Sequence, residues 1–315
     1  MPTTRETSIL TVAAIRQSKD TGVTEYLFNE REQIFMIRST LKTAEDISSQ
    51  LRQAMRKNEP VKAGLDPRKG LIQRVARPSS QELDEFHTRK ELLDRPNKPI
   101  RINVASIDPT RFNIVDRYLK IPSFRLCTKI VPSYSTAEKI FDFCAKQCCH
   151  LPGPYDISPC IPFQYAIDGC YARAHKMRWI ITTKYHYCCE KVFSFANQDN
   201  DSLAVKADKW GGCCVTWWYH VAPLIRVRVK LGRWSILLAM VIDPSMFNKP
   251  VLLSSWLSAQ ENTLCHANAH VSMYSIQPGS AYSPANYYGT AFTTDPSYVA
   301  TDNTLINYSG LTTCP

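Results

Sequence analysis

Short apolar runs and helical spacing take turns along the first ninety residues. Residues 9–15 form an apolar run of strand length. Residues 26–28 and 34–37 flank the polar stretch 29–33, which is the pattern of a hairpin. Thr43 and Asp46 stand at the spacing of a helix-start box, and Ile47, Leu51 and Met55 then fall on one helical face. Residues 61–65 and 71–75 bracket Asp66-Pro67-Arg68-Lys69-Gly70, a turn signal. Ser79 with Glu82 opens a second helix carrying Leu83, Phe86 and Leu93.

From about 94 to 134 the pattern loosens. Pro96, Pro99, Pro109, Pro122 and Pro132 punctuate it and basic residues are scattered through it, which predicts a linker with cleavable bonds and a boundary near 130. A helix start follows at residues 135–138, leading into Ile140, Phe141, Phe143 and Cys144. A second helix is expected from Gly169-Cys170 through YARAHKMRWII, then strands over 191–195, 214–229 and 234–242. The tail from Ser272, rich in Ser, Tyr, Asn, Thr and Pro, reads as ordered loops and short strands. No internal repeat is visible. The expected architecture is α+β: a small unit over residues 1–130 and a larger one over 131–315.

Composition narrows the class. At 44% hydrophobic and 21% charged, the 315 residues read as a globular chain. The longest largely apolar run, 234–242, is far short of a membrane span, so no membrane partner is expected. The N-terminus MPTTRETSIL has no basic segment ahead of an apolar core; a secretory signal is not visible in this chain. The net charge of +10 is uneven. Residues 1–130 hold 24 of the 38 Lys+Arg against 16 of the 28 Asp+Glu, leaving 14 against 12 in the rest. These charges are interleaved, without a long basic run, which reads as a solvated surface rather than a nucleic-acid partner.

Eleven of the 12 cysteines lie beyond residue 130. That density predicts disulfides and an oxidising, secreted setting. No CxxC pair and no finger-spaced His pair supports zinc, so no metal is expected. If the others pair among themselves, the odd count leaves one thiol free.

Three stretches bring a Cys, a His and an Asp: IDGCYARAHKM, WWYHVAPLI and LAMVIDPSMF. Cys170 opens a predicted helix, where the backbone dipole favours a thiolate and the first N–H groups can hold an oxyanion. Its ordinary alternative is a half-cystine. His220 lies in an alternating stretch, with Val215, Trp217, Tyr219 and Val221 on one face and Thr216, Trp218 and His220 on the other. Asp243 closes an apolar strand, a place where a carboxylate is often only a turn residue. Together they hold the ingredients of a thiol triad: nucleophile, base and orienting acid. His175, five residues past Cys170, is the competing base. On a helix that step leaves the two side chains about 140° apart, so His175 reads as structural.

DGCYARAHKM, CCVTWWYHVA and IDPSMF closely resemble segments of the protein-glutamine glutaminases, a family of secreted bacterial deamidases. IPFQYAIDGC, CEKVFSF and DNTLIN are similar too, and LRQAMRKNEPV up to about Thr88 resembles the family's pro-region. The resemblance implies a papain/transglutaminase-like core, with the Cys on a helix packed against an antiparallel sheet that bears the other two residues. It places the nucleophile at Cys170, the base at His220 and the acid at Asp243, with no cofactor. It also implies a latent precursor; a processing protease and a monomeric chain are expected. The substrates it implies are proteins or peptides with exposed glutamine, hydrolysed to glutamate and ammonia through a thioester. The chain departs from the family in carrying extra cysteines, including Cys144 and Cys188. It also has Trp218 where a small residue is usual, and KLGRWSILLAM before the acid; Trp218 is expected to change the pocket wall beside His220. The 1–130 unit is expected to cover the cleft with one of its loops, the candidate being the tip at residues 66–70. A transglutaminase, a papain-like protease, a disulfide-rich binding module and a delivered effector acting on a host protein are the rival readings.

Overall fold

A computed structural model describes residues 6–17, 23–38, 40–91, 104–105, 129–196, 201–231 and 234–314. Leu93 and most of the expected linker lie outside these residues.

The N-terminal strands are β1 (Glu6–Leu10), β2 (Val12–Gln17), β3 (Thr24–Phe28), β4 (Phe35–Ile37), β5 (Val61–Asp66) and β6 (Leu71–Ala76). They form one sheet in the order β1-β5-β6-β4-β3-β2. The apolar run 9–15 is therefore two strands, on opposite edges. The break is at Thr11, whose N–H donates to the Glu30 carboxylate at 2.8 Å instead of to a ladder. Helix α1 (Ala44–Lys57) covers the sheet with Ile47, Leu51 and Ala54, while Met55 turns outward. Thr43 precedes this helix but makes no side-chain cap. Before α2 (Ser80–Glu91) the expected box does form: the Ser79 N–H donates to Glu82 at 2.9 Å and the Glu82 N–H donates to the Ser79 hydroxyl at 3.3 Å.

A second six-stranded sheet organises the rest. Its members are β7 (Val104–Ala105), β8 (Glu190–Phe195), β11 (Tyr219–Leu231), β12 (Trp234–Val241), β13 (Val251–Leu252) and β14 (Met273–Gln277). They run antiparallel in the order β13-β12-β11-β8-β14-β7. Two small ribbons flank it, β9 (Leu203–Lys206) with β10 (Cys214–Trp217), and β15 (Ala281–Pro284) with β16 (Phe292–Thr294). The expected single strand 214–229 is thus split at Trp218.

Helix α3 (Tyr134–Lys146) begins just ahead of the expected start, with Ser133 as its cap accepting from the Thr136 N–H at 3.1 Å. Helix α4 (Cys170–Thr183) packs on β11 and is buried on almost every side. Ala172, Met177, Ile180 and Ile181 share one apolar cluster with Phe193, Val221 and Ile225 of the sheet. A helix buried nearly all round belongs in a core. Helices α5 (Leu253–Ser258) and α6 (Val299–Tyr308) complete the chain. The α+β expectation holds, with a helix that begins at Cys170 lying on an antiparallel sheet.

Three disulfides are described: Cys149–Cys160, Cys213–Cys314 and Cys214–Cys265. Cys188 is also disulfide-bonded. The expectation of a single free thiol fails: Cys144, Cys148, Cys170 and Cys189 are all free and buried. Burial pushes the Cys189 thiol up to about 12 and that of Cys144 far above its ordinary value, so these behave as small apolar core residues.

Candidate active site

Gly169 sets the entry to α4. Its φ of +85° is left-handed, and a Cβ there would lie 2.8 Å from the Tyr308 ring, so only glycine fits. The helix has no side-chain cap from Gly169, which leaves its first N–H groups for another acceptor. The Cys170 N–H donates to the Glu32 carboxyl at 3.2 Å.

His220 enters from β11, paired opposite Ser194 of β8. Asp243 follows β12. The His220 Nε2 lies 2.9 Å from Asp243 Oδ2. The same carboxylate accepts from the Trp256 indole N–H at 2.9 Å and from the Ser245 N–H at 3.2 Å. With Asp243 accepting, the Nε2 carries the proton and Nδ1 is left with its lone pair; Nδ1 has no hydrogen-bond partner among the described residues. Burial alone would raise the Asp243 carboxyl. The bond and charge of His220, with Trp256 and Arg173, outweigh it and hold the group below its ordinary value. The imidazole is stacked on Trp217 at 4.5 Å between centroids and flanked by Trp256 at 5.4 Å.

The Cys170 sulfur, a ring nitrogen of His220 and a carboxyl oxygen of Glu32 lie within 4.8 Å of one another. A thiol, an imidazole and a carboxyl could also take a zinc ion. The carboxyl comes from the N-terminal sheet unit, so such a site would exist only while that unit is docked.

Glu32 sits in the loop between β3 and β4, fully buried. Its other carboxyl oxygen makes no hydrogen bond, with the Arg173 guanidinium at 3.6 Å. Burial raises its pKa well above the ordinary carboxylate value; Arg173 opposes this, and Asp168 and Asp243 add to it. The loop backbone is held as well. The Trp218 N–H donates to the Glu32 carbonyl at 3.0 Å and the Trp218 indole donates to the Arg31 carbonyl at 2.6 Å. Gln33 bridges Trp217 in antiparallel fashion. The Glu32 N–H donates to Asp168 at 3.2 Å.

Three expectations change here. The segment in the cleft is 29–33, not the tip at 66–70. That tip braces it from behind: the Pro67 carbonyl accepts from the Gln33 amide, and the Gly70 carbonyl accepts from the Met36 N–H at 2.8 Å. Trp217, not Trp218, forms the wall beside His220, because the break at Trp218 disrupts the alternation. Trp218 instead grips the loop. The third concerns sites that the sequence did not single out: Glu32, Asp168 and Trp256 all belong to this constellation. Of these only Asp168, two residues before Cys170, stands inside the motif that drew attention to the chemistry. The structural reading of His175 agrees with its contacts. Its ring nitrogens lie 2.7 Å from the Lys191 Nζ and 3.0 Å from the Asp295 carbonyl, and burial, with Lys191 beside it, pushes it down to about 2.

The profile of a family described as glutaminase matches residues 137–260. No curated protein matches the chain. A crystal structure of pro-protein-glutaminase is similar at 28% identity and a TM-score of 0.67, covering 98% of this chain and 95% of that one. A crystal structure of protein-glutaminase is similar at 34% identity and a TM-score of 0.51, covering 59% of this chain and 92% of that one. The NMR structure of protein-glutaminase from Chryseobacterium proteolyticum is similar at 34% identity and a TM-score of 0.50, covering 59% of this chain and 91% of that one. With the pro-protein matched along almost the whole chain and the shorter protein-glutaminases matched along part of it, the chain belongs to the protein-glutaminase family and carries a pro-region.

Proposed function

We propose that this chain is the latent precursor of a protein-glutamine deamidase whose triad is Cys170, His220 and Asp243. The observation that carries the reading is the arrangement at His220: Asp243 on Nε2, an unpartnered Nδ1, and the Cys170 sulfur close to the ring. Nδ1 takes the thiol proton, and the thiolate attacks the γ-carboxamide carbon of a glutamine. The tetrahedral oxyanion lies at the start of α4, where the Cys170 N–H points. His220 returns its proton to the departing ammonia. Water, deprotonated by His220, then opens the thioester and leaves glutamate. The steps need no metal or cofactor.

Residues 1–130 form the inhibitory unit and 131–315 the deamidase in this reading. Glu32 supports it. Its carboxyl, whose protonated form burial favours, has the shape of a carboxamide and meets the Cys170 N–H as a substrate carbonyl would. Secretion accords with the disulfides, and no described helix is long and apolar enough to cross a membrane. The test is to activate the chain by limited proteolysis and offer it a glutamine-rich protein with excess primary amine. Ammonia release with conversion to glutamate supports a deamidase. Stable amine adducts would make it a transglutaminase, and chain cleavage a protease.

A further inference from the structure

We infer that the cleft holds a binding site for a cationic side chain immediately N-terminal to the reactive glutamine, built on Asp168 and Tyr308, so that Arg-Gln sequences are the preferred substrates. The inference rests on the deamidase reading and deepens it. If Glu32 stands in the acyl position, the residues on either side of it report how a substrate runs. The stretch 31–33 is bound through its backbone, by Trp218 to the Arg31 and Glu32 carbonyls and by the Gln33 bridge to Trp217. Strand-like addition of this kind fixes register, and side-chain pockets then set preference.

The pocket before the acyl position is occupied by Arg31. Its guanidinium donates to Asp168 Oδ2 at 2.8 Å, and its Cζ lies 5.8 Å from the centre of the Tyr308 ring. Asp168 also accepts from the Tyr308 hydroxyl at 2.7 Å and from the Glu32 N–H at 3.2 Å. One carboxylate therefore reads both the acyl residue's N–H and the preceding side chain. Asp168 has no solvent exposure, and the neighbouring Arg173 donates to its backbone carbonyl rather than to its carboxylate. Once the loop leaves, the carboxylate keeps only the Tyr308 hydroxyl among these described contacts. A carboxylate so placed favours a partner that brings a cation. Glu6 and Ser8 also hold Arg31, but they belong to the same N-terminal unit and leave with it. Arginine suits the pocket better than lysine, since its planar fork can bond the carboxylate while lying against the phenol ring. A cavity of 760 Å³ opens beside it, between residues of the N-terminal unit such as Ser8 and Glu30 on one side and Tyr165, Tyr171, Tyr282 and Tyr308 on the other.

The experiment uses the full chain activated by limited proteolysis. Peptides that differ only in carrying Arg, Ala or Glu before a single glutamine are compared by kcat/KM for ammonia release. The corresponding glutamate peptides are compared by binding. Arg-Gln should exceed Ala-Gln by about tenfold to a hundredfold, as a charge-assisted bond in a shielded pocket implies, and Glu-Gln should be poorest. Asp168→Asn should bring the Arg-to-Ala ratio toward one, whereas Tyr308→Phe, which keeps the carboxylate and the ring, should leave the Arg preference in place. Should either variant fail to fold, the peptide series on the unmutated chain decides alone. Equal rates for Arg-Gln and Ala-Gln would overturn the subsite and leave the deamidase standing. Selective binding of the Arg-Glu peptide without ammonia release would overturn the deamidase and keep the subsite. Neither binding nor release would overturn both.

Discussion

At the scale of single residues, the site is a chain of dependent contacts: Trp256 and Ser245 hold Asp243, Asp243 holds the His220 tautomer, and His220 faces Cys170. Cys170→Ala is expected to lower ammonia release by several orders of magnitude, His220→Ala nearly as far, and Asp243→Ala less, since the proposed role of Asp243 is to orient His220. A Cys170 variant with a rate close to the parent would end the assignment. Glu32 allows a sharper check. Glu32→Gln would place a true carboxamide where the Glu32 carboxyl now meets the Cys170 N–H. The full chain should then convert the introduced glutamine back to glutamate, or stop at a Cys170 thioester with loss of ammonia. Intact mass distinguishes these from an unchanged chain. The double variant with Cys170→Ala should stay unchanged in mass; conversion in that background would point to spontaneous deamidation.

At the scale of elements, the loop between β3 and β4 carries the contacts with the start of α4 and with Trp217 and Trp218. Its buried carboxyl is expected to make this contact pH-dependent. Burial raises the Glu32 pKa, against Arg173 and with Asp168 and Asp243. A raised value favours proton uptake as the carboxyl becomes buried. The full strength of the contact is expected below the ordinary carboxylate range and is lost as pH rises through the raised value. In a Cys170→Ala background, the Tm of the chain that keeps Glu32 should fall relative to that of a Glu32→Gln chain as pH increases across that window. A Tm difference that does not vary with pH would show that Glu32 docks as an anion paired with Arg173. The α4 start is a second element-scale constraint. Gly169→Ala must both hold a left-handed φ and meet the Tyr308 ring, so it should displace Cys170 and lower kcat more than a surface Gly→Ala change.

At the scale of the whole molecule, two sheet units meet across the start of α4. Arg31, Glu32 and Gln33 cross from one to contact Asp168, Cys170 and Trp217 of the other. Cleavage between the units should raise activity sharply toward added protein substrate. If the uncut chain were already as active as the cut one, the latency would fail. The C-terminus is pinned by Cys213–Cys314, which closes a separation of 101 residues. Cys314→Ser is expected to cost about 2–4 kcal/mol of stability. Measured in denaturant, an unchanged midpoint would show that this bridge constrains little.

Much of this was legible in the order of residues because it depends on neighbours in sequence. The Ser79–Glu82 box, the hairpin around 29–33, and the glycine and cysteine that open α4 are all local. The motif around Cys170 and the resemblance it carries pointed to His220 and Asp243 before any distance was known. Other features depend on contacts between residues far apart, and no local pattern encodes those. Thr11 splits an apolar run because Glu30 reaches its N–H. Trp218 breaks the alternation because its ring and amide turn to the loop. Cys144, Cys148 and Cys189 are free thiols buried in the core, and no local pattern sets them apart from the half-cystines. Which of two polar loops would enter the cleft was decided by the tertiary fold, since residues 66–70 pack behind residues 29–33. The sequence by itself determined the groups proposed to react and the local frame around Cys170. Only the tertiary structure decided what stands opposite it, because the buried carboxyl beside Cys170 comes from a hairpin 138 residues away in the chain.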